Sequence, residues 1–350
     1  YSGIRNRVFF CPNSMKFHWS PLGESDVFSL KDIVNSKNGR FNPENTNIVF
    51  APFDTESCDP IIFSGVKERF LDISEFSGKS VEILDFSNQN FDKYRSSVEQ
   101  AISDCNKGLF SKIVVSRKKE IIGNIDLKAI FKVLVEQYSN SFVYYFELGG
   151  VVYMGATPEE LLKSNQGLCS SVSLAGTMLS STGKNIDIWG AKEKKEQQIV
   201  TDYLESKYSK FCSNVTVSER TIKNNGPICH LHNTISGRLK TGKEVNAFLD
   251  ELHPTPAVCG FPKIESKKWI LKNESYDRGF YTGYIGLIEK ASSNYYVNLR
   301  CLRSKEEITE LFVGGGITKD SVVENEFEET EQKLNVLLNA IKKIHTFVSE

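Results

Sequence analysis

His253-Pro254-Thr255-Pro256-Ala257-Val258-Cys259-Gly260-Phe261-Pro262 is the stretch around which the rest of the chain is read. Its three prolines and one glycine exclude the interior of a helix or of a central strand. Each proline fixes its own φ and pushes the residue before it toward extended geometry. The stretch therefore reads as a stiff, extended loop that presents His253 and Thr255. A rigid surface turn would account for such a loop standing alone. Here unusual polar stretches lie on both sides of it.

Upstream, His230-Leu231-His232 leads into the strand-like Thr234-Ile235-Ser236-Gly237. Alternation puts both histidines on one side, but a zinc site built on them lacks a nearby third nitrogen or sulfur ligand. A helix from about Ala191 to Tyr208 turns Ile199, Val200, Tyr203 and Leu204 inward. Glu193 and Glu196 border that stripe, with Lys192, Lys194 and Lys195 on a solvated face. Leu174-Ala175-Gly176-Thr177 closes a strand in a turn whose N–H groups and hydroxyl suit a carboxylate. Thr157-Pro158-Glu159-Glu160-Leu161-Leu162 reads as a helix start, with Thr157 as N-cap, Pro158 first and Glu160 completing a capping box. That occupies Glu160 and leaves Glu159 either as a first-turn carboxylate or as an acid at a cleft mouth. A hairpin, Phe142 to Leu148 and Val151 to Ala156, precedes it. Before that, Asp126 caps a helix with the apolar stripe Leu127, Ile130, Phe131, Leu134, Val135 and Tyr138. The β-branched run Ser111 to Arg117 predicts a buried strand containing Lys112. That lysine either marks a sheet edge or points into a pocket, where burial would make it a base.

Downstream, a short helix near Glu265 to Leu271 leads to Arg278 through Gly286, where three glycines mark bulges or the close approach of a ligand. Tyr295 to Arg303 reads as one strand carrying Arg300 and Arg303. Gly314-Gly315-Gly316 reads as a loop between strand and helix, where backbone N–H groups can cradle an anion. It has neither the Walker nor the dinucleotide pattern. The last helix runs from near Ser321 to about Phe347, and Glu326, Glu329 and Lys333 border its stripe of Phe327, Leu334, Leu338 and Ile341. Glutamates three apart thus border an apolar stripe on two helices. Facing pairs of this kind make a hard-oxygen site suited to Mg²⁺.

The 350 residues suffice for one large or two ordinary domains, and 40% hydrophobic with 25% charged residues fits a globular protein with a full core. A net charge of -1 gives no electrostatic case for nucleic acid or an acidic membrane surface. No apolar run approaches the ~20 residues of a membrane span, and no secretory signal is visible, so a cytoplasmic location is expected. The eight cysteines form no C-x-x-C pair and read as reduced thiols.

Taken in order, Lys112 to Arg117, Gly155 to Leu162, Leu174 to Thr177, Lys192 to Val200, His230 to Leu239, Leu252 to Pro262, Arg278 to Gly286, Leu299 to Cys301 and Gly314 to Lys333 resemble the chorismate-binding enzymes. That family includes isochorismate and salicylate synthases and the large chains of anthranilate and aminodeoxychorismate synthases. The resemblance spans roughly Phe91 to Ile344. It implies an α+β fold: a single large domain like anthranilate synthase component I, with antiparallel sheets and outer helices. Residues 1–85 are expected to be a divergent part of that fold and 86–350 the catalytic region.

Position by position, the resemblance implies Lys112 as the base that activates water, where amine-using relatives usually carry glutamine. It implies Glu159 as the acid, Glu196 and Glu329 as Mg²⁺ carboxylates, and Glu193 and Glu326 as supporting or alternate ligands. Gly176, Thr177, His230, Tyr281, Arg300, Gly314, Gly316 and Lys333 fall at positions around the substrate. Ala175 stands where aminodeoxychorismate synthases typically carry lysine. The loop from Leu252 to Ala257 is similar to the isochorismate synthase version. The implied reaction is chorismate to isochorismate, for menaquinone or, alternatively, a siderophore. Salicylate synthesis, binding without turnover and a zinc hydrolase built on His230 and His232 are the rivals. No glutamine amidotransferase subunit is expected, and a monomer or weak homodimer is. Gln197, Cys259 and Gly315 depart from residues common in the family, namely histidine, glycine or serine, and alanine.

Overall fold

The computed structural model describes residues 7–11, 17–21, 27–29, 46–68, 85–87, 91–138, 141–148, 150–225 and 228–345. One ladder of antiparallel pairings threads the described strands. At one end Ile228–Leu239 holds Cys212–Val217 and Thr221–Asn225 on one side and Leu168–Leu179 on the other. The ladder continues through Glu160–Asn165, Ser292–Val297, Tyr284–Ile288, Thr46–Ala51 and Ile61–Glu68. From there it passes through Phe17–Pro21, Arg7–Cys11, Phe142–Leu148, Val151–Thr157, Cys301–Lys305 and Ile308–Ile317 to Lys112–Ile122.

The ladder folds back so that its two halves share one apolar filling. Ile48, Phe50, Ile285, Leu287 and Tyr296 of one half pack with Phe142, Tyr144, Cys301 and Phe312 of the other. Helices cover the outer faces. Ala191–Phe211 and Val245–Leu252 bury Val200, Leu204, Phe248 and Leu249 on one side. Leu127–Gln137 and Val323–Ile344 bury Ile130, Leu134, Leu338 and Ile341 on the other. The result is helices, sheet, sheet, helices, the α+β arrangement of antiparallel sheets with outer helices. Fully burying each such aliphatic side chain stabilises by ~1.5–3 kcal/mol.

Local signals worked where the physics is local. Asp126 caps its helix by accepting from the N–H of Ala129 at 2.9 Å. Gly108, at φ +77°, follows the helix Phe91–Asn106. The capping box is overturned: no helix follows Thr157. Pro158 ends one strand and Glu160–Asn165 begins another. That second strand is paired on both sides, and this outweighs a start signal worth about 1 kcal/mol. The triple glycine is also not a loop. Gly314, Gly315 and Gly316 lie inside Ile308–Ile317, opposite Ser116, Val115 and Val114. The expected strand Tyr295 to Arg303 is two strands, broken at Arg300, which adopts φ +49°.

The proline stretch does not present its polar side chains. His253 and Thr255 are buried, His253 Nε2 pairing with the Phe53 carbonyl at 3.2 Å. Residues 255–259 turn, with the Thr255 carbonyl accepting from the N–H groups of Val258 and Cys259. What the stretch brings to the site is apolar wall, Ala257 and Val258. At Gly283 and Gly286 the close neighbours are the Ala51 carbonyl and the Tyr295 ring, so protein and not ligand requires those glycines.

Candidate active site

A cavity lies between the ends of the two sheet halves. Its wall takes Val114, Gly314 and Gly316 from adjacent strands, Ala175 to Thr177 from Leu168–Leu179, and His230 from Ile228–Leu239. Glu196 and Lys333 enter from helices on opposite sides, and Glu159, Tyr281 and Arg300 from turns. Ten of the residues proposed from sequence, Glu159, Gly176, Thr177, Glu196, His230, Tyr281, Arg300, Gly314, Gly316 and Lys333, thus share one cavity.

Glu159 sits in the connection that Pro158 makes between two strands. Its backbone is tied down by Thr157 Oγ1, which accepts from its N–H, and by the Val297 N–H, which donates to its carbonyl. Burial pushes its carboxyl up to about 7, against the pull of Lys112, Arg300, Lys223 and Lys333. Near neutral pH it is an acid with a proton to give.

Lys112 opens its strand and is 1 % exposed, so it is neither an edge lysine nor a snorkelling one. Its Nζ contacts Glu196 Oε1 at 2.8 Å. Gly316 makes this pair possible: a Cβ there would lie 2.2 Å from Glu196 Oε1 and 2.5 Å from Lys112 Cε.

Arg300 and His230 form the cationic wall. His230 Nδ1 donates to the Gly176 carbonyl at 2.8 Å, leaving Nε2 to accept from Arg300 at 2.6 Å. Burial, with Arg300 close by, pushes His230 down to about 3, so the ring is neutral. Burial also lowers Arg300 to about 10, and its second terminal nitrogen is buried without a partner. A buried guanidinium with free donors suits an incoming carboxylate. Because both His230 nitrogens are engaged, and His232 pairs with Thr221 outside the cavity wall, the zinc reading finds no support.

Three of the four proposed metal carboxylates are each held by a lysine: Glu196 by Lys112 at 2.8 Å, Glu326 by Lys192 at 2.5 Å and Glu329 by Lys333 at 2.7 Å. Lys192 is therefore part of the site, not of a solvated face. Burial and then Glu329 raise Glu326, whose Oε2 is buried without a partner. Burial raises Glu329 too, but its pairing with Lys333 prevails and holds it low. Among the described residues no set of His, Cys, Asp and Glu forms a ready-made metal cage. The donors are hard oxygens with one orphan among them, and they fit a hard cation that also takes substrate oxygens. Glu193 is placed differently. Its carboxylate folds back over Gly190 at the start of its own helix, 2.6 Å from where a Cβ there would stand.

The departures are accommodated. Buried Gln197 donates to Asn233 at 2.6 Å and Thr201 at 2.9 Å and accepts from Arg220 at 2.7 Å. Cys259 is buried and its thiol pushed up to about 12, chiefly by burial, which leaves it unreactive. A Cβ on Gly315 would meet nothing nearer than 3.5 Å. Sequence reasoning passed over Lys223, whose Nζ donates to the Pro158 carbonyl at 3.2 Å. Its only local signal was alternation on the short strand Thr221–Asn225.

Fold and site together define a two-sheet, helix-covered protein whose cleft sets a buried acid beside cations, able to take a small carboxylate-bearing molecule. Residues 53–342 match the family described as chorismate binding enzyme, and the chain belongs to that family. Among curated proteins it is 29% identical over 244 residues to the chloroplastic isochorismate synthase of Catharanthus roseus, covering 66% of this chain and 42% of that protein. It is 28% identical over 267 residues to isochorismate synthase MenF of Bacillus subtilis, covering 71% and 55%. The chain thus spans about half the length of these relatives. In fold it is similar to the menaquinone-specific isochorismate synthase MenF of Escherichia coli, with a TM-score of 0.83, 17% identity, and 96% and 88% of the two chains covered. It is also similar to anthranilate synthase component I of Streptococcus pneumoniae, with a TM-score of 0.74, 17% identity, and 96% and 93% covered.

Proposed function

We propose that this protein is an isochorismate synthase, interconverting chorismate and isochorismate. The observation that carries this reading is Glu159, a buried carboxyl raised to about 7 in a cavity that also holds Arg300 and Lys333. Lys112 supports it, because a lysine there suits water, not ammonia, as the nucleophile. The names of relatives of several kinds agree, among them MenF and DhbC of Bacillus subtilis.

Arg300 and Lys333 hold the enolpyruvyl carboxylate by charge-assisted hydrogen bonds. Lys112 removes a proton from the water that attacks C2, and Glu159 donates its proton to the departing C4 hydroxyl. For Lys112 to act as base, Glu196 must be drawn away from its ammonium. Glu196, Glu326 and Glu329 would hold Mg²⁺, which supplies charge for the ring carboxylate of a dianionic substrate. Menaquinone synthesis is the pathway we favour.

The test is purified protein with chorismate and Mg²⁺, products separated by chromatography. Isochorismate in equilibrium with chorismate, lost on chelation, is expected. Salicylate with pyruvate would reassign the reaction, and chorismate binding without turnover would remove it.

A further inference from the structure

Strand Thr221–Asn225 reaches the site without contributing to its wall. Its register places Lys223 opposite His230. Just before it, Arg220 donates to the side chains of Gln197 and Gln198 on the helix that carries Glu196. Lys223 is half-buried, and its Nζ donates to the Pro158 carbonyl at 3.2 Å, on the peptide bond that leads into Glu159. Arg220 and Lys223, three residues apart, thus brace the helix of Glu196 and the turn of Glu159.

The groups facing Glu159 come from several elements. Lys112 lies on strand Lys112–Ile122, Arg300 on the turn before Cys301, and Lys333 on helix Val323–Ile344. Tyr281 faces it from the turn before Tyr284–Ile288, Glu160 follows it in the chain, and Lys223 completes the set. Lys112 is engaged with Glu196, Arg300 with His230, and Lys333 with Glu329 and the Gly314 carbonyl. Among the described contacts, Lys223 is the cation of these four that bonds the peptide carrying Glu159.

We propose that Lys223 is a positioning residue for Glu159: by holding the Pro158 carbonyl it aims the acid and places a cation beside it. The inference rests on the role of Glu159 as acid in the proposed reaction. Lys223 does not line the cavity, so its loss should act on the chemical step and not on substrate binding. Without its charge the carboxyl keeps its proton to higher pH and gives it up less readily.

The test compares wild type, Lys223→Met, Lys223→Gln and Lys223→Arg. For Lys223→Met, kcat at pH 7 should fall about 10-fold with KM for chorismate changed less than about twofold. The alkaline limb of the kcat profile should rise by about one pH unit. Lys223→Arg should recover most of both. Lys223→Gln keeps a donor without the charge, so it should hold more of the rate while still shifting the limb. It also serves if Lys223→Met does not fold by circular dichroism. Independently of turnover, the infrared band of protonated Glu159, assigned by its loss in Glu159→Gln, should titrate at higher pH in the ligand-free Lys223→Met and Lys223→Gln proteins. A shifted band in a protein that does not turn over chorismate would uphold the contact and remove the proposed reaction. An unshifted band together with wild-type kcat in Lys223→Met would overturn the inference.

Discussion

Adding one methyl group at Gly316 should dismantle the site, whereas adding it one residue earlier should not. A Cβ on Gly316 would stand 2.2 Å from Glu196 Oε1, 3.0 Å from Glu196 Cδ and 2.5 Å from Lys112 Cε. Glu196 borders the cavity and can swing into it, but Lys112 is 1 % exposed and cannot follow. The Gly316→Ala protein therefore keeps a buried ammonium and loses its carboxylate. Overpacking costs about 1–3 kcal/mol and an orphaned buried charge about 3–5 kcal/mol. Allowing for the freedom of Glu196, the loss should be about 2–4 kcal/mol, a fall in Tm of roughly 3–5 °C. Gly315→Ala meets only ordinary contacts at 3.5 Å and beyond, and should hold or gain a few tenths of a kcal/mol from a stiffer unfolded chain. The assay is paired thermal unfolding and chorismate turnover, with Gly316→Ala at least ~100-fold slower. Equal Tm and equal turnover for the two variants would refute the argument, because the Lys112–Glu196–Gly316 contact could not then be tight.

Glu159→Gln should abolish turnover yet stabilise the fold at high pH. The folded pKa of about 7 exceeds the ordinary 4.5, so the folded state binds the extra proton and wild-type stability falls as pH rises between those values. Burial is the leading cause and Glu159 is 4 % exposed, so the variant should gain up to ~3 kcal/mol at pH 8 and little at pH 4, read by urea unfolding at both. Lys112→Gln should stop water addition; isochorismate formed at the wild-type rate would remove the base assignment. Lys192→Met should bind Mg²⁺ more tightly by calorimetry, because the cation now paired with Glu326 no longer competes, and the metal-free protein should melt lower. Unchanged affinity would place the metal away from Glu326.

Local signals in the chain located several of the helices, but not Val245–Leu252, and they placed one at Thr157 where two strands meet. The Asp126 cap, the periodicity of Ala191 to Tyr208 and the long stripe ending the chain each act over one or two turns. The resemblance carried by the ordered motifs named ten residues that line the cavity, whereas Lys112, Glu193, Glu326 and Glu329 stand outside that lining. Tertiary structure decided what local chemistry could not. Thr157 to Glu160 carries a good helix start, yet two neighbouring strands claim Glu160–Asn165. Three glycines in a row look like a loop, yet Lys112–Ile122 extends beside them and makes them strand. Lys112, Lys192 and Lys333 have no sequence signal for their partners except Lys333, four residues from Glu329; the other two pairs join separate elements. Helix propensity and capping are short-range terms of about 1 kcal/mol. Ladder pairing, burial and ion pairing depend on which distant segment arrives, and that is set only when the chain closes on itself.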